Sequence, residues 1–335
     1  MKTAQNAPKQ PAKIALIRLS ALGDIVQSAI VAYFVKKNLP NSNLTWFCDE
    51  KFGAIARLCC GVDEVVELPL KAKKFAKSWE IVRQRRGEFD SVIDLQGLLK
   101  SAVVARILAP NPSGFSPKST KEFAAGLLYA QKTQISYNEN IIIRNLTLAS
   151  NALNFAWNRE EILAKPALFK AFGSKFESGV LVAPFSSQAS KNYTHFDEVI
   201  ALVKERFKGE IYICAGSQKE REEAQKLAQK SGAKLLPPLD LTQMTNLVSH
   251  AKLVIGNDSG ITHLAWAQNT KSITLFGNRP SARNAYATPQ NIVLDAGKKI
   301  DARRIDESDF CINQICPKLV AKRALELLEK GEGDA

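Results

Sequence analysis

A short apolar strand from Leu253 to Ile255, a small polar turn and a helix opening near Ser259 lead directly into a second apolar strand, Ile273 to Phe276. The turn holds Gly256, Asn257, Asp258, Ser259 and Gly260. Such a strand–turn–helix–strand unit commits this part of the chain to an α/β sheet. Glycines at the turn let the backbone approach a ligand closely, while the free N–H groups and positive dipole end of the helix favour bound phosphate. A diphosphate fits such a place. His263 falls about one turn beyond Ser259, where its ring can face the same ligand. The spacing equally suits a capped turn in any α/β enzyme, with Asp258 or Ser259 as N-cap and His263 satisfied inside the core.

The remainder of the chain alternates strand and helix in two series. The first opens at Lys13–Leu19 and continues through Ser20-Ala21-Leu22-Gly23-Asp24 into a helix that ends before Pro40. Strands at 44–48, 64–68 and 89–95 follow, with helices at about 52–60 and from the turn at Gln96–Ser101 to before Pro110. A loop at 111–118 and helical patterns at about 120–130 and 140–157 close the series. Asp24 stands at the carboxyl edge of its strand, where it can serve as a general base or merely cap the helix. After an aperiodic linker at 158–178, the second series runs from Val180–Pro184 through the loop Ser186–Lys191 to the strand–turn–helix unit above. The loops of this series share one end of the sheet, so their polar residues converge on one ligand.

Charge narrows the partner. The 335 residues suit two domains, and 45% apolar with 24% charged residues is a globular balance. Lysine and arginine number 46 against 33 acids, a net +13, which points to an anionic partner. Lys71, Lys73, Lys74 and Lys77 open a basic amphipathic stretch reaching Arg86, which reads as a solvated face or as a docking surface for an anionic acceptor or lipid headgroups. The basic residues are not interleaved with aromatics as in a recognisable nucleic-acid module. A nucleotide-sugar epimerase or dehydrogenase is disfavoured by the missing GxGxxG after Leu19 and by the lack of a YxxxK arrangement. The six cysteines form no CxxC pair, and reduced thiols are the expectation. No apolar run approaches the ~18 residues of a membrane span, so any membrane association is expected to be peripheral.

RLSALGD at Arg18 to Asp24, DLQGLLKSA at Asp94 to Ala102 and GNDSGITHLA at Gly256 to Ala265 together resemble the lipopolysaccharide heptosyltransferase family. The resemblance runs from about residue 13 to residue 330. It implies an α/β GT-B fold, two Rossmann-like domains facing each other across a cleft. Residues 1–12 would form a flexible tail, 13–165 an acceptor domain and 175–316 a nucleotide-sugar domain, with a helix at 317–330 packing back on the first. The implied reaction is inverting transfer of heptose from ADP-heptose to the Kdo of Kdo2-lipid A, the DLQGLLKSA element favouring that acceptor over an already heptosylated core. The catalytic base would be Asp24, beside Gly23. Ser186, Ser187, Lys191, Glu220, Leu239, Asp258, Ser259, Gly260 and His263 would bind the donor. Gly23, Lys71, Lys73, Lys74, Lys77, Gln96 and Lys100 would meet the acceptor. Neither metal nor cofactor is implied, and the chain has no DxD motif. The protein would work as a monomer, peripherally, on the anionic cytoplasmic leaflet of the bacterial inner membrane.

Overall fold

Two six-stranded parallel sheets form, and both have the same strand order. The computed structural model describes residues 12–329, so the expected tail at 1–12 lies almost wholly outside the described residues. The first sheet comprises β1 (Lys13–Ile17), β2 (Asn43–Asp49), β3 (Glu64–Leu68), β4 (Ser91–Asp94), β5 (Ser113–Phe115) and β6 (Gln131–Thr133), ordered β3-β2-β1-β4-β5-β6. β1 and β2 read as nearly unbroken apolar runs because helices cover both faces of such a sheet, and only their first residues are exposed. The second sheet comprises β7 (Val180–Ala183), β8 (Ile211–Ile213), β9 (Lys234–Leu235), β10 (Leu253–Asn257), β11 (Ser272–Phe276) and β12 (Asn291–Asp295), ordered β12-β11-β10-β7-β8-β9. Counted from its own first strand, each sheet is doubly wound, and its order reverses between its first and fourth strands. Ligands of doubly wound sheets bind beyond the carboxyl ends of strands at that reversal.

β5 corrects the expected loop at 111–118, and β6 follows the stretch expected to be helical at 120–130. Their three-residue segments, SGF and QKT, are too short to show a period. They form by adding to an existing edge, with Ser113 opposite Gln131. Only Phe123–Leu127 of that stretch is α-helical.

The chain divides into two compact units, and the second takes Ala21–Ile30 and Ser136–Arg144 as well as Asn158 onward. This differs from a single first domain at 13–165. The Leu22–Asn38 helix contributes to both units because 17 residues reach about 25 Å, past the roughly 17 Å of the five-residue β1. The C-terminal helix, Pro317–Glu329, buries Val320, Ala321, Ala324 and Leu327 in the second core with Val199, Ile200 and Val203 of the Phe196–Arg206 helix. That corrects the expectation that it packs back on the first domain. Its apolar stripe finds its complement on the neighbouring helix of its own unit.

Candidate functional site

In the second unit, the reversal between β7 and β10 is bridged by Asn257, the last residue of β10. Its Nδ2 donates to the Pro184 carbonyl at 2.6 Å and its Oδ1 accepts from the Tyr193 N–H at 3.2 Å. Asp258 follows. Lys191 Nζ lies 2.9 Å from its Oδ2 and His263 Nε2 lies 2.9 Å from its Oδ1. Burial opposes ionisation of this carboxyl, but the Lys191 charge and the His263 hydrogen bond outweigh it and hold Asp258 well below the usual carboxylate range. The site therefore carries a fixed Asp–Lys pair at neutral pH.

The Gly260–Ala267 helix begins at this point. The Ser259 N–H donates to Thr262 Oγ1 at 3.3 Å, and the buried Ser259 hydroxyl has no hydrogen-bond partner among the described residues. Buried hydroxyls are ordinarily satisfied, so this one suits a bound ligand or water. The far end of the helix is held by Lys165, whose Nζ donates to the Trp266 carbonyl at 2.7 Å, and burial pulls that amine down to about 7. Both ends of the helix are thus positioned.

His263 is buried, with its ring between Gln27 and Asp258. Gln27 Nε2 donates to the Asn284 carbonyl at 2.5 Å and approaches His263 Nδ1 at 3.4 Å. Because that amide nitrogen can only donate, Nδ1 accepts, and the ring presents Nε2–H to Asp258. Both ring nitrogens of His263 therefore face protein groups. A Cβ on Gly23 would stand 2.8 Å from His263 Cδ2, so only glycine permits this approach. Gln27 is absent from the residues expected from sequence, although its spacing of four from Gly23 puts it on the same helix face.

The other expected donor residues occupy loops and one first helical turn at the same sheet edge. Ser186 Oγ lies 2.9 Å from Asn192 Oδ1 and 3.0 Å from the Gln188 carbonyl oxygen, between which its one proton is shared, while Ser187 is exposed. Glu220 Oε2 accepts from the Gly216 and Ser217 N–H groups, and Ser217 Oγ accepts from the Glu220 N–H, a reciprocal helix cap. Half-buried Leu239 precedes the Leu241–His250 helix.

Asp24 is half-buried in the first turn of its helix, and its Oδ2 accepts from the Ala21 N–H at 3.1 Å. It therefore caps the turn that presents it. In the first unit the reversal between β1 and β4 is bridged by Gln96, whose Oε1 accepts from the Leu19 and Ser20 N–H groups at 2.7 and 3.3 Å. These two bonds support the loop leading to Asp24. Gln96 is placed in turn by Asp94, which accepts from the Gln96 N–H at 2.8 Å and from the Tyr129 hydroxyl at 2.7 Å. Full burial pushes the Asp94 carboxyl up despite those donors. Gly97 completes the turn at φ +67°, which L side chains rarely adopt. Asp94 is visible in sequence only as a polar residue closing an apolar run. Lys71, Lys73, Lys74, Lys77 and Lys100 are all exposed, and Lys71 Nζ lies 4.6 Å from the Phe52 ring centre.

Comparison with known proteins agrees with these elements. Residues 79–330 match the model of glycosyltransferase family 9 (heptosyltransferase). Lipopolysaccharide heptosyltransferase 1 of Campylobacter coli is 38% identical, covering 94% of this chain and 98% of that relative. The Escherichia coli heptosyltransferase WaaC, solved with ADP-2-deoxy-2-fluoro heptose, superposes with a TM-score of 0.73 at 19% identity over 94% of this chain and 99% of that one. A glycosyl transferase family 9 structure from Veillonella parvula gives 0.79 at 17% identity over 97% and 100%. Two doubly wound parallel sheets are the shared fold, and the chain belongs to glycosyltransferase family 9, the heptosyltransferases.

Proposed function

We propose that this glycosyltransferase moves L-glycero-D-manno-heptose from ADP-heptose to the Kdo residue of Kdo2-lipid A, in assembly of the lipopolysaccharide inner core. The observation that carries the donor assignment is the edge at β7 and β10. Lys191, the first turn of the Gly260–Ala267 helix and the unpartnered Ser259 hydroxyl together supply a cation, backbone donors and a hydroxyl suited to a diphosphate. Ser186, Ser187, Glu220 and Leu239 occupy the remaining donor positions in this reading. The acceptor assignment is supported by a relative named for the first heptosyl transfer that aligns over nearly the whole chain.

Asp24 takes the proton from an acceptor hydroxyl as that oxygen bonds to the anomeric carbon of the heptose. The bond from that carbon to the diphosphate breaks, its electron pair leaves with ADP, and the anomeric centre inverts through an oxocarbenium-like transition state. Lys191 and the amides after Ser259 stabilise the departing charge. His263 and Gln27 keep Asp258, and through it Lys191, in place. We place the protein as a monomer on the cytoplasmic side of the bacterial inner membrane, where its lipid acceptor would be met.

The test is ADP release from ADP-heptose, with and without Kdo2-lipid A, in the presence of EDTA. Release that requires this acceptor and survives chelation is the expected result. Release only with an already heptosylated core would transfer the assignment to a later heptosyl addition.

A further inference from the structure

We propose that the three-helix layer on one face of the first sheet is a docking surface for an anionic lipid bilayer. The proposal deepens the peripheral placement above and rests on it. Helices Phe75–Gln84, Leu99–Leu108 and Phe123–Leu127 turn Val82, Ala105 and Ala125, among others, into one shared core. Each also carries an apolar pair at a spacing of four, starting from its first residue. Phe75 and Trp79 are 64% and 49% exposed, Leu99 and Val103 are 46% and 38%, and Phe123 and Leu127 are 60% and 58%. In a parallel sheet, each crossover helix starts at the carboxyl edge of the strands, so all three pairs lie toward the same edge. The first turns of the second and third helices are joined where the Leu99 N–H donates to Glu122 Oε2 at 2.6 Å.

Scattered apolar side chains on a surface need no explanation, but three pairs in one helix layer form a patch. Exposed Lys73, Lys74, Lys77, Lys100, Lys118 and Lys121 stand within five residues of these pairs along the chain. Partial burial, and then the like charges of Lys51 and Lys100, hold Lys71 below the ordinary lysine value, so basic groups from separate elements lie near one another here. The centre of a protein–protein interface is depleted in lysine. Apolar pairs interleaved with lysines instead match a bilayer surface, where rings and aliphatic chains enter the headgroup boundary and each lysine adds about 1 kcal/mol against anionic lipid. Among the described residues no helix is long and apolar enough to cross a membrane.

Sedimentation of the full chain with vesicles tests the proposal. Phosphatidylcholine alone is compared with phosphatidylcholine mixed with phosphatidylglycerol, without sugar donor or acceptor, so the outcome is separable from that of the transfer reaction. Binding to the anionic vesicles is expected, weakened roughly 10-fold or more by Phe75→Ser with Trp79→Ser, and independently by Phe123→Ser with Leu127→Ser. Melting temperatures of both variants should stay near that of the parent, because these side chains face solvent. Brominated lipid should quench tryptophan emission in the parent and much less in Trp79→Phe. Equal binding to neutral and anionic vesicles, or unchanged binding by both double variants, would overturn the proposal. So would absence of vesicle binding together with self-association that the same variants abolish.

Discussion

His263 Nε2 and Asp258 Oδ1 lie 2.9 Å apart, with neither side chain more than one-tenth exposed. Lys191 closes on the other carboxylate oxygen, so one buried carboxylate organises both groups. Asp258→Ala leaves two partners without their acceptor. Breaking a buried pair costs about 3–5 kcal/mol, and the partial exposure of Lys191 reduces this to roughly 2–3. Urea unfolding should show that loss, and the donor KM should rise.

The same carboxylate makes stability depend on acid. Its folded value lies below that of the unfolded chain, so the unfolded state takes up the proton first as pH falls. The stabilisation is fully present above the unfolded value, at about pH 4, and is lost as pH falls from there through the folded value. Unfolding midpoints measured from pH 6 downward should fall less steeply in Asp258→Asn than in the parent.

Gln27→Leu keeps the side-chain volume and removes the donor that faces His263 Nδ1. Long-range ¹⁵N correlation of the imidazoles is tractable because the chain has only three histidines. The parent should show His263 with its proton on Nε2, and the variant should keep that tautomer while its Nδ1 resonance shifts, because Nδ1 has lost its donor. A hydrogen bond is worth about 1 kcal/mol, so kcat/KM should fall roughly 5- to 10-fold. An unaltered His263 spectrum would remove Gln27 from this role.

Asp24→Ala should lower kcat by about 100- to 10,000-fold, the usual contribution of a general base. Calorimetric ADP binding should change by no more than a few-fold, because the carboxylate is assigned to proton transfer and not to the diphosphate. Loss of both to the same degree would reduce Asp24 to the helix cap that its bond to the Ala21 N–H already makes it.

Gln96→Leu separates loop support from acceptor contact. Two backbone N–H groups lose their acceptor, at a cost of about 1–3 kcal/mol. Stability and kcat should therefore fall together while the acceptor KM moves little. A raised acceptor KM with unchanged stability would restore the direct contact.

Local patterning was enough to declare the long central strands, the two α/β series and the three motifs, because buried parallel strands are continuous apolar runs and glycine-flanked turns mark their ends. It also marked Asp258, Ser259 and Asp24 as candidates, each in the turn that follows a strand, whereas Lys191 was marked by the family resemblance. Tertiary structure alone decided the rest. β5 and β6 exist through the edge they extend, and the C-terminal helix chose the second core because that is where its stripe is complemented. Which way His263, Gln96 and Gln27 point was equally hidden. A side chain's hydrogen-bond partner depends on groups as far away in sequence as the 236 positions separating Gln27 from His263, and no local period records that distance.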